Sequence, residues 1–394
     1  MPDYTRLDRL SGEACLVGIG ETDYRADYHF KPASDSPDSY ALAARAFARA
    51  LVDSGLSKDD IDGLVVGPTL AMERTGEVLG LDTRFTAQAD AVNAIIQATL
   101  AINVGLAECV ALVYGNNQRS ASTQYGGPNA MGGERFQAYV YYAPWGLTSQ
   151  GALYAMMANR YMAETGFRPA DLGTIAIAER DFARLNDNAI LTEPLGIGDY
   201  LSGKIICEPL RRPDYCLVND GGVALIVTSR ERAKRLAVPL VSVVGIGASD
   251  LHRDAASLRP RLLDFYHSGH AQTAAQVYRM AGIGPRDIDV LQVYDSFSIH
   301  VPVALEGFGF CPIGEAARFI AETGIGPGGG LPTNTSGGML CESYMQGWNH
   351  QAEAVRQLRG AAGRRQVEGA RHAQYVSDVA GKTASIIYRA EASR

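Results

Sequence analysis

Val17-Gly18-Ile19-Gly20-Glu21-Thr22-Asp23 returns later in the chain as Val244-Gly245-Ile246-Gly247-Ala248-Ser249-Asp250. Downstream of it, Gly55-Leu56 with Asp60-Ile61-Asp62-Gly63-Leu64 returns at the same offset as Gly282-Ile283 with Asp287-Ile288-Asp289-Val290-Leu291. Each pair of motifs brackets a stretch of helical periodicity, residues 40–54 and 272–281. Constant spacing across two separate motifs indicates two copies of one β/α unit. Val-Gly-Ile-Gly by itself invites a phosphate-loop reading, but the third glycine of G-x-G-x-x-G is missing and no long helix starts there. It reads as the end of a strand and a turn.

Within the first copy, residues 14–20 form an apolar strand, residues 40–54 an Ala-rich amphipathic helix closed by Gly55, and residues 62–67 a second strand. This β, α, β alternation predicts a parallel or mixed sheet with helices on its faces. Residues 1–239 make the N-terminal half, with 231–239 as linker, and residues 240–394 the C-terminal half. Residues 116–219 interrupt the first half with a Tyr- and Gly-rich stretch and then a helix over 152–164. Tyr139, Tyr141, Tyr142 and Trp145 in it suit the wall of a bulky apolar substrate site, a subunit contact, or packing within the loop region. Asn219-Asp220-Gly221-Gly222 opens the last strand of the first half, and residues 375–388 form a final strand pair around a Gly turn.

With 394 residues, 46% hydrophobic and 20% charged, the chain can bury one large core or two fused ones. A net charge of −7 and a pI near 5.6 leave no basic stripe, so no nucleic-acid partner is expected. No apolar run reaches the ~20 residues of a membrane span, and the first ten residues lack a signal-peptide core; a cytoplasmic protein is expected. Six scattered cysteines and seven dispersed histidines predict neither a disulfide framework nor a metal site. Cys15 and Cys109 read as buried, inert thiols. His267 and His270, the closest histidine pair, read as part of a turn.

The second informative stretch is Leu331 to His350, LPTNTSGGMLCESYMQGWNH, in which a Gly pair and a polar run lead into an apolar-periodic helix. Tyr344 stands at the loop-to-helix step. Free N–H groups at a helix start would make a phenol there easier to ionise and would face an anionic substrate group. A Gly-containing turn with a surface tyrosine is the competing reading.

Gly337-Gly338-Met339-Leu340-Cys341-Glu342-Ser343-Tyr344 resembles the thiolase segment that carries a catalytic His in a Gly-His-Pro context, with Tyr344 at the His position. Val293-Tyr294-Asp295-Ser296-Phe297-Ser298 resembles the His-Asp-Cys-Phe motif of the sterol carrier protein X thiolases, with Tyr294 where the His stands. This resemblance, to the lipid-transfer-protein branch of the thiolase superfamily, covers nearly the whole chain. It implies an α/β, five-layer αβαβα thiolase fold made of two duplicated β/α halves, with residues 116–219 as the loop domain over a coenzyme A tunnel. The nucleophilic Cys of thiolases falls, within a residue, at Gln88, ahead of the helix 91–104, and residues 83–95 contain no cysteine. The second catalytic Cys falls in Asp378 to Gly381, also without cysteine. Asn334 and Gly338 keep a small polar character, and with the turn at Gly381 they are expected to bind the thioester as part of an oxyanion hole.

In the register that puts Gln88 at the Cys position, its amide cannot form a thioester, which excludes thiolysis through an acyl-enzyme there. Aldol cleavage needs thioester-enolate stabilisation but no nucleophile. Tyr294 and Tyr344 would fill the acid and base roles, provided one is lowered from the usual ~10. The resemblance therefore implies a nucleophile-free retro-aldolase that cleaves a β-hydroxyacyl-CoA, in the steroid side-chain case to propionyl-CoA and a 17-oxosteroid. It has no cofactor beyond the coenzyme A of its substrate, and an amine-dependent aldolase is disfavoured because only Lys382 of the few lysines lies in a motif. It also implies a homodimer in complex with a small OB-fold, zinc-ribbon protein. A non-catalytic lipid-transfer or scaffold subunit, in which the tyrosines are incidental, and a carbon-carbon-forming thiolase are the alternatives.

Overall fold

The computed structural model describes residues 5–29, 36–123, 143–146, 149–250, 265, 267–379 and 382–391. Among them, nine strands form one mixed sheet: β1 (Ala14–Glu21), β2 (Gly63–Val66), β3 (Phe85–Gln88), β4 (Cys109–Asn117), β5 (Asp220–Ser229), β6 (Val241–Asp250), β7 (Val290–Val293), β8 (His372–Val379) and β9 (Lys382–Ala390). Their order is β3-β2-β4-β5-β1-β6-β9-β8-β7. Without the edge strand β3 this is a palindrome about the β1–β6 contact, where Cys15 faces Ser242 and Leu16 faces Val241. Each pairing has its mirror: β2–β4 and β7–β8 are parallel, and the β4–β5–β1 and β8–β9–β6 runs are antiparallel. Even a register irregularity repeats. Val17 has no partner between the pairs Leu16–Val227 and Gly18–Ile226, and Val244 has none between Val243–Tyr388 and Gly245–Ile387.

The repeated glycines lie inside β1 and β6, not at a strand end and turn. Their role is the close approach of one outer helix in each copy, α1 (Ser39–Ser54) and its counterpart, which is residues His267–Ala281. A Cβ on Gly20 would fall 2.1 Å from the Ala46 carbonyl oxygen, and one on Gly247 would fall 2.5 Å from that of Thr273. Gly20→Ala and Gly247→Ala are each expected to lower the unfolding free energy by about 1–3 kcal/mol, read as a fall in denaturant midpoint.

The main helices are α1, α2 (Ala91–Asn103), α3 (Gln150–Thr165), α4 (Pro169–Ala183), α5 (His267–Ala281), α6 (His300–Gly307) and α7 (Trp348–Leu358). Strand alternation distributes them in layers. In β4, Cys109, Ala111 and Val113 pack with Ala43, Ala46 and Ala50 of α1, while Val110, Leu112 and Tyr114 face α2 and α7. In the second half Tyr375, Ile386 and Tyr388 face that same middle layer, and Val376 and Ile387 face the opposite outer side with Val277 of α5. The result is outer helix, one half of the sheet, central α2 and α7, the other half of the sheet, outer helix. His267 and His270 belong to α5 and so are helical rather than part of a turn. Trp145 is 87% exposed, whereas Tyr139, Tyr141 and Tyr142 lie outside the described residues.

Candidate active site

Tyr294 follows directly on β7, and its backbone N–H donates to the Val376 carbonyl of β8 at 2.8 Å. Tyr344 comes from the segment between a wide five-residue turn, Gly338–Glu342, and α7. Their hydroxyls meet at 3.3 Å. The first half holds the second in this position. Asn219, just ahead of β5, accepts the Tyr344 N–H at 2.7 Å and donates to Ser343 Oγ at 2.8 Å. Asn116 of β4 donates to the Tyr344 carbonyl at 3.4 Å. The two tyrosines thus converge where the strand ends of both copies meet.

Beneath them, Asp295 anchors the wide turn. Its Oδ2 accepts the backbone N–H groups of Met339 and Leu340 at 2.7 and 3.1 Å, and its Oδ1 lies 2.7 Å from His350 Nε2 of α7. Gly338 must be glycine: its φ is +59°, and a Cβ would sit 2.3 Å from Asp295 Oδ2 and 2.8 Å from Glu179 Oε2. Burial alone would raise Asp295, but the His350 imidazole and the donated hydrogen bonds outweigh it and hold Asp295 below the usual carboxylate range. Glu179 of α4 is pushed the other way, well above the usual carboxylate range, first by burial and then by the Asp295 charge.

The phenols do not behave as a tyrosine at a helix start was expected to. Burial pushes Tyr344 up to about 12, with Cys216 adding to the rise and hydrogen bonds to Tyr294 and Gln346 opposing it. Tyr294, more completely covered, is pushed further, by burial and then by Tyr344 itself. α7 begins only at Trp348, four residues past Tyr344, so Tyr344 does not stand at the helix start. At neutral pH both phenols carry their protons.

The other sequence-derived positions divide. Asn334 is fully buried at φ +52°, but both ends of its amide are occupied: Oδ1 accepts the Val293 N–H at 2.7 Å and Nδ2 donates to Glu179 at 2.9 Å. It supports the end of β7 rather than offering an amide to substrate. Gln88 is exposed at the end of edge strand β3 and donates to the Leu70 carbonyl at 2.7 Å. The structure does not bring it to the tyrosines. Asp90, two residues on, caps α2 by accepting the Asn93 N–H. Gly381 lies outside the described residues. Sequence reasoning missed Glu179, Asn116 and Asn219 as parts of this site, and Asp295 and His350 although both stand in the quoted motifs. Among the described residues no group of three or more His, Cys, Asp or Glu could hold a metal.

Beyond Cys216 the surface opens into a cleft of about 390 Å³, floored by Tyr215, Leu217 and Leu340 and bordered by Arg119, Arg180 and Arg212. On the other side of the wide turn, Glu342 is buried and pushed up to about 8, first by burial and then by Glu21 and Glu353. A carboxyl raised in the fold holds its proton more tightly there than in the open chain. Its stabilising contribution is present below the ordinary value of 4.5 and is lost as pH rises through about 8. Glu342→Gln is therefore expected to flatten the decline of urea midpoint between roughly pH 5 and pH 8.

Comparison with known proteins agrees with this architecture. Residues 255–388 match the family model for a thiolase C-terminal domain-like unit. The chain is 33% identical to the steroid side-chain-cleaving aldolase of Thermomonospora curvata, over 90% of this chain and 92% of that protein. It is 34% identical to the 17-hydroxy-3-oxo-4-pregnene-20-carboxyl-CoA lyase of Mycobacterium tuberculosis, over 90% and 93%. The solved Ltp2-ChsH2(DUF35) aldolase superposes with a TM-score of 0.84 at 30% identity, covering 98% of this chain and all of that one. The palindromic sheet, the layered helices and these full-length likenesses lead to one conclusion: the chain belongs to the thiolase superfamily, in the group that contains the steroid side-chain-cleaving aldolases.

Proposed function

We propose that this chain is an acyl-CoA aldolase that cleaves a β-hydroxyacyl-CoA carrying a steroid, releasing propionyl-CoA or another short acyl-CoA and a ketone such as a 17-oxosteroid. The observation that carries this reading is the pair of protonated phenols 3.3 Å apart, in the two motifs that resemble those where thiolases carry His. Cleavage converts the β-hydroxyl to a carbonyl, sends the Cα–Cβ bond pair to the thioester as an enolate, and ends when a phenol protonates the enolate carbon. No step needs an acyl-enzyme, which fits the absence of cysteine from residues 83–95. The arginine-bordered cleft next to Cys216 suits the phosphates of coenzyme A.

We further propose a homodimer, because β3 leaves an open sheet edge, and a complex with a small OB-fold, zinc-ribbon protein. The two components in the name of the solved relative support the latter. The test is to incubate the chain, with and without such a partner, with a panel of β-hydroxyacyl-CoA esters that includes 17-hydroxy-3-oxo-4-pregnene-20-carboxyl-CoA. Short acyl-CoA and ketone should appear in equal amounts. Failure to cleave any ester under either condition would sink the proposal.

A further inference from the structure

Two phenols that both hold their protons supply an acid readily, but cleavage also requires a group that takes the proton of the substrate hydroxyl. Against Tyr294 lies a buried chain of groups that the tyrosine pair does not use. Ser296 Oγ is 3.1 Å from His300 Nε2, and His300 Nδ1 is 2.6 Å from Asp378 Oδ1. His270 Nε2 lies 3.2 Å from the other Asp378 oxygen. The members come from the turn after β7, the first residue of α6, the end of β8 and the first turn of α5, so the fold assembles them from distant sequence. Space is kept for them as well: a Cβ on Gly307 would fall 2.2 Å from His270 Nδ1.

The chain has one outlet. His300, His270 and Asp378 have no exposure, whereas Ser296 keeps 8%. Ser296 also shares a wall with the tyrosines. Its carbonyl accepts the N–H of Cys216, the residue whose thiol bears on both phenols. The His300 ring meets the Tyr294 ring edge-on, centroids 5.9 Å apart. Around His300 the titratable neighbours are Asp378, His270, Tyr294 and, with ring centroids 4.6 Å apart and planes tilted by 52°, Tyr154 of α3. Burial would raise Asp378, but the His300 and His270 imidazoles beside it hold it below the usual range, so a carboxylate faces His300.

We propose that Ser296, His300 and Asp378 are the proton-accepting arm of this site, a role that rests on the aldolase reading above. Ser296 takes the proton of the substrate's β-hydroxyl while passing its own to His300 Nε2. Asp378 is a positioning residue: it fixes the imidazole with Nδ1–H toward itself and stabilises the imidazolium. The C–C bond breaks, the enolate carbon takes a proton from one phenol, and the imidazolium proton returns through Ser296 to the phenolate. Every group ends as it began.

The experiment is kcat and KM against pH for the wild type, His300→Gln, Asp378→Asn and Ser296→Ala, with circular dichroism to report the fold. Wild-type kcat should fall toward acid. His300→Gln should lower kcat by about 10²-fold or more with KM nearly unchanged, and should erase that acidic limb. Asp378→Asn should move the limb, and Ser296→Ala should lower kcat in a folded protein. A folded His300→Gln that keeps the turnover and the acidic limb would show a purely structural pair and overturn the proposal. If His300→Gln does not fold, Ser296→Ala at wild-type turnover overturns it equally. A wild type that cleaves no ester fails the aldolase reading, and the proton-accepting arm with it. A wild type that cleaves while the variants match it fails the arm alone.

Discussion

Tyr294→Phe and Tyr344→Phe are each expected to cut turnover by about 10²- to 10⁴-fold while leaving the KM for the CoA ester nearly intact. Phenylalanine keeps the ring, and with it the packing against Met345 and Trp348 in the central layer. Only the hydroxyl is lost. Because the two hydroxyls are 3.3 Å apart, removing either also strips the other of its partner, so the double variant should fall little below the worse single one. Gln88→Ala supplies the contrast. Its side chain is exposed and bonded to the Leu70 carbonyl, away from the pair, and substantial turnover should remain. Steady-state rates on one cleaved ester check all four variants, and near wild-type turnover in either Tyr→Phe protein would remove that tyrosine from the chemistry.

The second large effect is on stability. Asp295 is a buried carboxylate that satisfies two backbone N–H groups and the His350 imidazole at once. Asp295→Ala leaves all of them facing a cavity. Truncating one member of such a cluster typically costs about 3–5 kcal/mol. The loss should appear as a lower denaturant midpoint, accompanied by lost turnover because the turn that carries toward Tyr344 loses its anchor. Asp295→Asn keeps one acceptor oxygen for the Met339 and Leu340 amides and should lose less. Equal midpoints for the Asp295→Ala protein and the wild type would contradict this account of the turn.

Much of the fold was legible because it is written twice. The offset between the Val-Gly-Ile-Gly motifs becomes, in three dimensions, the mirror relation of β1 and β6, down to the unpaired Val17 and Val244. What periodicity did not reveal was why glycine stands there. A helix carbonyl pressed against a strand is a tertiary fact, and an isolated Val-Gly-Ile-Gly looks the same at a turn. The tyrosine pair was legible through resemblance to two motifs fifty residues apart. Its electrostatics were not, since burial by the first half's Asn219 and Cys216 region decides the phenols' state and no local signal encodes it. Asp295, Glu179 and His350 were missed for the same reason: three elements supply them, and each looks ordinary in its own segment. Asn334 carried the right polarity for a substrate contact, yet its positive φ and two internal hydrogen bonds make it a brace.

The central claim is a cleavage that runs without an acyl-enzyme. Its most direct test is a single turnover of a β-hydroxyacyl-CoA ester in D₂O with no free coenzyme A added, followed by mass spectrometry of both the products and the intact chain. The account predicts ketone and short acyl-CoA in equal amounts, one deuterium at the α-carbon of the acyl-CoA, and no mass added to the protein. An acyl group attached to the chain, or cleavage that waits for added coenzyme A, would contradict it.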